Sequence, residues 1–212
     1  LGVIVERSGM NRLQAFKRFP ILETDRLILR EITIADAEWY LEHFSRKEIV
    51  QGQGFPAPKG MKGAREELQL YFVDLFKNRN GFRWGIELRG DGNLIGSCGY
   101  YKWLKPDGRQ AEIGYDLDPP YWGQGIMTEA LTAIIDFGFQ KMKLNRIELL
   151  VLPKNKRSSG LAGKLGFKKE GVLREHGFDE KMRPADDVIF SMLRRDWVKR
   201  HSAVMRTVVP RR

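Results

Sequence analysis

The sequence predicts an α/β protein of the α+β type, with a mixed, mostly antiparallel sheet and helices on both faces. Three features predict it. Short stretches with apolar residues at every second position, such as 26–32 and 111–117, recur along the chain and suit strands. Two of them, 83–89 and 94–104, flank Gly90-Asp91-Gly92-Asn93, a hairpin turn. Between the strands lie runs of helical period, clearest at Ile126, Met127, Ala130, Leu131, Ile134 and Ile135.

Taken in order, 26–32 alternates apolar and charged residues and reads as a half-buried first strand. Thr33 with Asp36 three residues on resembles an N-cap, although Asp is a shorter arm than the usual Glu. The helix it opens carries Trp39, Tyr40, Leu41 and Phe44. Residues 51–60 hold three glycines and two prolines and read as a loop. A helix near 61–78 places Leu68, Tyr71, Phe72 and Leu75 on one stripe, which reads as core. After the hairpin, the turn Pro106-Asp107-Gly108 leads into the central strand 111–117 and the helix that follows it. Residues 146–152 are nearly continuous apolar and suit a strand covered on both faces, which Pro153 ends. Asn155 caps a helix through Leu165, and Gly166 terminates it. Strands at 167–174 and 187–193, separated by a charged loop, complete the sheet.

Composition bounds the function. At 212 residues, 42% hydrophobic and 30% charged, the chain suits one domain with a full core. The expected division is a basic extension at 1–20, one domain at 21–199 and a basic tail at 200–212. No apolar run approaches the roughly 20 residues that span a bilayer. The opening apolar run, 1–5, is too short and lacks the basic leader of a signal peptide. Cys98 is the single cysteine, so an internal disulfide is excluded and a cytoplasmic setting fits. The net charge of +10 divides into +3 for residues 1–20, +6 for 194–212 and only +1 for 21–193. The basic excess lies in the ends, not on a folded face, and implies at most weak attraction to RNA or a ribosome surface. His43 and His201 read as solvated, and no His, Cys or carboxylate residues recur at metal-ligand spacing.

The chain is organised around 111–139. Pro119 and Pro120 stop the strand, Gly123 and Gly125 follow, and a helix begins. A strand feeding a glycine loop into a helix presents free N–H groups at the positive end of a helix dipole, a site for a phosphate. A P-loop is excluded because no Lys-Ser/Thr follows Gly125, and a dinucleotide fingerprint because the third glycine is missing.

The window Trp122-Gly123-Gln124-Gly125-Ile126-Met127 resembles the acetyl-CoA pyrophosphate signature of the GNAT N-acetyltransferases, with Trp122 and Met127 departing from its strict form. The phrases EIGYDLDPPYWGQGIMTEAL and LETDRLILREITIADA look like the branch containing the ribosomal-protein alanine/serine N-terminal acetyltransferases. A second motif agrees: Val151-Leu-Pro-Lys-Asn155-Lys-Arg-Ser158, then Lys164-Leu-Gly-Phe167. The resemblance covers roughly residues 21–199. It implies a central strand and a post-helix strand that are parallel and splay apart to admit the pantetheine arm of acetyl-CoA.

The resemblance also implies roles. Backbone groups of Tyr115, Asp116 and Leu117 would pair with pantetheine, and N–H groups of Trp122, Gly123, Gln124, Gly125, Ile126 and Met127 would hold the pyrophosphate. Asn155 would offer its amide to pantetheine, or serve only as a helix cap. Family members often carry a tyrosine acid seven residues past this Asn; here Ala162 stands there. Ser158 is then the candidate donor to the sulfur, or a first-turn serine bonded to its own backbone. Glu112, on the central strand and facing away from Ile113 and Tyr115, is the candidate base, with Glu175 and His176 as runners-up. The expected activity is acetyl transfer to a primary amine, in the first place a protein N-terminus, with no metal and with a homodimer usual in such families. A small-molecule amine such as a polyamine or aminoglycoside, and a non-catalytic acyl-CoA-binding module that associates with ribosomes, remain as alternatives.

Overall fold

The computed structural model describes residues 15–53, 56–104, 109–179 and 181–208, of which 203–208 by backbone alone. Its strands are β1 (Leu22–Glu23), β2 (Leu27–Glu31), β3 (Phe82–Leu88), β4 (Leu94–Trp103), β5 (Gln110–Leu117), β6 (Arg146–Val151), β7 (Lys168–Phe178) and β8 (Pro184–Leu193). They form one sheet in the order β1-β2-β3-β4-β5-β6-β8-β7. Every neighbouring pair is antiparallel except β5 and β6. The helices are α1 (Ala37–Phe44), α2 (Lys47–Gln53), α3 (Gly60–Leu68), α4 (Ile126–Gln140), α5 (Lys156–Leu165) and α6 (Arg194–Val208).

Alternation along the strands divides the core in two. The larger cluster joins Leu27, Leu29, Trp84, Ile113 and Ile147 of the sheet to Ala130, Leu131 and Ile134 of α4. The smaller joins Ile32 and Leu94 to Tyr40 and Phe44 of α1 and to Ala64 and Leu68 of α3. Cys98 is fully buried in the larger cluster, as a small filler on β4. Among the described residues no helix is long and apolar enough to cross a membrane.

Several expectations change. The folded body extends N-terminal of residue 21: Phe16 stacks on Phe82 at 4.2 Å, Phe19 meets Trp84 edge-on, and the Trp84 indole N–H donates to the Pro20 carbonyl. Each buried phenylalanine is worth roughly 1.5–3 kcal/mol. At the other end the boundary at 199 falls inside α6, where Trp197 donates to Asp136 at 2.6 Å. His201 also pairs with Asp136, at 3.2 Å. The loop expected at 51–60 begins as the end of α2, and the helix expected at 61–78 passes through a π-helical turn, Gln69–Val73, before its last turn, Asp74–Lys77. Strands β7 and β8 overrun the expected charged loop. A bulge with Glu175 in the left-handed region (φ 49°) lets the ladder resume at Gly177↔Ala185. Asp36 is long enough after all, accepting from the Thr33 N–H at 2.8 Å. The turn at 106–108 lies outside the described residues.

Candidate active site

Strands β5 and β6 are in register only at Gln110↔Arg146, Ala111↔Ile147 and Glu112↔Glu148, although β5 runs on to Leu117 and β6 to Val151. The pair therefore opens after Glu112. Which groups face the opening follows from the β4 ladder. The Asp118 N–H donates to the Ile95 carbonyl, so alternation by two turns the backbone of Asp116 toward β4 and that of Tyr115 and Leu117 toward the opening. Of the three residues expected to offer backbone to pantetheine, Asp116 is corrected on this ground. The Leu117 carbonyl already accepts from the Trp122 indole at 2.7 Å.

Trp122 is anchored a second time by the Arg157 guanidinium, 4.2 Å above its ring. Its own N–H donates to the Pro119 carbonyl, which removes it from the expected set of pyrophosphate donors. Beyond it, Gly123 and Gly125 take φ of 76° and 78°, a region that side chains resist. At Gly123 a Cβ would meet nothing within 4 Å, so the loop faces open space. The Glu129 N–H donates to the Gly125 carbonyl, leaving the N–H groups of Ile126, Met127 and Thr128 ahead of the helical ladder. Met127 does not crowd this cradle: its side chain is buried in the core, as is that of Ile126. Arg26 braces the loop, donating to the Gln124 carbonyl at 3.1 Å and to Glu129 at 2.7 Å. Gln124 itself donates through Nε2 to the Pro120 carbonyl.

On the other wall, Asn155 Oδ1 accepts from the Ser158 N–H at 3.1 Å, which makes Asn155 the N-cap of α5 and leaves its amide nitrogen uncommitted to that bond. Ser158 stands in the first turn, half-buried. On β5 the Tyr115 hydroxyl is buried and lacks a hydrogen bond of ordinary geometry. Burial raises its pKa, and Ser158 is the side chain near enough to oppose that rise. Thus the cradle of backbone donors follows β5, the opening lies between β5 and β6, and the capping amide and Ser158 follow β6. These groups fit a nucleotide thioester: the N–H cradle suits its phosphates, the exposed strand backbone its amide arm, and the orphan hydroxyl its sulfur.

Glu112 lies on the opposite face of β5, 3% exposed, where the parallel pair is still closed. The Tyr101 hydroxyl donates to its Oε1, and Lys102 Nζ stands 4.0 Å from Oε2. Burial pushes the Glu112 carboxyl up from the usual carboxylate range, Glu148 opposite adds to this, and Tyr101 and Lys102 oppose it. Tyr101 escapes sequence reasoning because it is a bulge residue, at a register shift between Tyr100 and Lys102. Its ring covers Gly114, where a Cβ would meet it at 2.9 Å. His176 pairs with Asp187 at 3.0 Å near this carboxylate, whereas Glu175 is spent on the bulge.

The largest departure concerns His43, which is 1% exposed rather than solvated. Its Nδ1 lies 2.8 Å from Asp118 Oδ1, and its Nε2 lies 2.7 Å from Asp116 Oδ1 at an angle that misses hydrogen-bond geometry. Asp116 also holds Arg83, and the Ser97 N–H and hydroxyl at 2.9 and 2.7 Å. Arg46 adds 3.0 Å to Asp118. Burial alone would deprotonate the imidazole, but the two carboxylates outweigh it and its pKa is pushed up to about 9. Burial likewise opposes ionisation of Asp116, and Arg83 and His43 overcome it. Acids two residues apart at the end of a buried strand, 116 within it and 118 just past it, are the one sequence signal for this network. Among the described residues no group of His, Cys, Asp and Glu could hold a metal ion.

Comparison with known proteins agrees with this architecture. Residues 26–168 match the family model described as an acetyltransferase (GNAT) domain. The chain is 39% identical over 176 residues to an uncharacterized N-acetyltransferase, YoaA, of Bacillus subtilis (strain 168), covering 83% of this chain and 98% of that protein. It is 29% identical over 185 residues to the ribosomal protein uS5-alanine N-acetyltransferase of Escherichia coli (strain K12), covering 83% and 92%. The crystal structure of a ribosomal-protein-S5-alanine acetyltransferase from Vibrio fischeri superposes with a TM-score of 0.71 at 26% identity, over 84% of this chain and 98% of that one. The fold, the splayed pair and the matched span agree: this chain belongs to the GNAT acetyltransferase family.

Proposed function

We propose that this enzyme transfers acetyl from acetyl-CoA to a primary amine, that of a protein N-terminus such as a ribosomal protein's, by direct attack in a ternary complex. The opening between β5 and β6 supports the reading, because the glycine cradle follows β5 and the Asn155 cap with Ser158 follows β6. Acetyl-CoA supplies an acetyl group activated as a thioester. The N–H groups of Gly123 to Met127 bind its pyrophosphate, and Tyr115, Leu117 and Asn155 hold the pantetheine arm in line. Ser158 offers its hydroxyl at the sulfur. Glu112, with a raised pKa, takes the amine proton through water from the other face of the sheet.

The acceptor class rests on the 29% identity to a uS5-alanine acetyltransferase over most of both chains. The core position of Met127 means that its departure from the family signature puts no bulk on the pyrophosphate cradle, which speaks against the non-catalytic module. Association with ribosomes through the basic ends remains part of the proposal, as does a cytoplasmic homodimer. The test is thiol release from acetyl-CoA against a panel of peptides with ribosomal-protein N-termini, polyamines and aminoglycosides. Release with peptides alone is expected. Release only with polyamines or aminoglycosides would move the acceptor to small molecules, and CoA binding without release would favour the module.

A further inference from the structure

We propose that Tyr115 is a catalytic residue whose hydroxyl donates a hydrogen bond to the sulfur of the departing coenzyme, a role nothing in the family motifs gives to this strand position. The inference rests on the acetyl-CoA reading above. The observation behind it is an unmet donor in a place where one is needed. The Tyr115 oxygen is shut off from solvent, finds no hydrogen bond of ordinary geometry, and stands on β5 where that strand has parted from β6. Leaving a buried hydroxyl unpaired is unfavourable, so an orphan in a native site asks for a ligand that completes it.

Its neighbours point the same way. Ser158 comes from the first turn of α5, on the far wall of the opening, and is the polar side chain that acts on Tyr115. No tyrosine lies in α5, and its Ala162 is fully buried in the core, so the helix itself presents no phenol. A phenol from β5 and a serine from α5 converge on one point from two sides. Burial keeps the Tyr115 hydroxyl protonated at neutral pH and above, so it acts as a donor throughout the working range.

The step balances without another reactant. The amine nitrogen bonds to the acetyl carbon, the carbon–sulfur bond breaks, and its electron pair stays on sulfur, where the Tyr115 O–H stabilises it. The amine proton leaves toward Glu112, and the thiolate takes a proton from solvent on release.

Two measurements test this on the full chain. The first is ultraviolet titration of the thiol of bound CoA, which needs no acceptor. Tyr115→Phe is expected to raise that thiol's pKa by about one unit, the tenfold loss of thiolate stability that follows from one missing hydrogen bond to a charged atom. The second is steady-state kinetics, in which Tyr115→Phe is expected to lower kcat about 10- to 100-fold with acetyl-CoA affinity nearly unchanged. A folded Phe variant that binds CoA with the parent's thiol pKa overturns the proposal. If the parent acetylates no amine yet shows the thiol shift, the hydrogen bond stands and the acetyltransferase reading falls, so the two failures are distinguishable.

Discussion

His43 of α1 is wedged between Asp116 of β5 and Asp118, the residue just past the strand's end, with its Nδ1 2.8 Å from Asp118 and its Nε2 2.7 Å from Asp116. One imidazole thereby ties α1 to two residues ahead of the glycine loop. Since the network is buried, the proton on His43 is part of the fold.

That gives a pH dependence of known sign. The folded pKa, about 9, lies above the ordinary histidine value of about 6.5. The stabilisation is thus complete below about pH 6.5 and is lost as pH rises through about 9. The melting temperature of the parent is expected to fall across that window, and that of His43→Gln to start lower and change less. Parallel melting curves would exclude His43 from the network's energetics.

At the loop, Gly125→Val is expected to weaken CoA binding at least tenfold. Its φ of 78° is a region that a β-branched residue avoids. Binding calorimetry on a folded variant is the check. An unchanged affinity would remove the loop from the pyrophosphate site.

Glu112→Gln separates chemistry from stability. Because burial raises the carboxyl pKa, ionised Glu112 costs the fold something at neutral pH, and the amide is expected to melt no lower than the parent. Turnover is expected to fall about 100-fold, within the range of general-base effects, and the acid limb of the pH–rate profile to change shape. A profile identical to the parent's would exclude Glu112 as the base.

Ser158→Ala is expected to lower kcat by about tenfold, the low end of general-acid effects, because the hydrogen bond proposed for Tyr115 would persist. The cap survives, since Asn155 bonds the backbone N–H of residue 158 and not its hydroxyl. Alanine is also the better helix former. Stopped-flow kinetics with saturating acceptor, beside a melting curve, reads both. A normal melt with full turnover would make Ser158 a helix residue only.

The sequence by itself determined what depends on local order. Alternation placed the central strand, glycines at 123 and 125 marked a turn that needs positive φ, and Asn155 with Gly166 bounded α5 at both ends. Those signals are legible because strand period, turn chemistry and helix caps act over a few residues. Only the tertiary structure decided what depends on distant segments meeting. The burial of His43 follows from packing between residues 73 and 75 positions apart. The place of Tyr101 follows from a bulge in β4, and the core role of Phe16 and Phe19 from their stacking on β3. The unpaired hydroxyl of Tyr115 belongs to the same class. On a strand, a tyrosine at an alternating position reads as core; that its oxygen is buried without a hydrogen bond of ordinary geometry, on the stretch of β5 that has parted from β6, is set by three-dimensional packing alone.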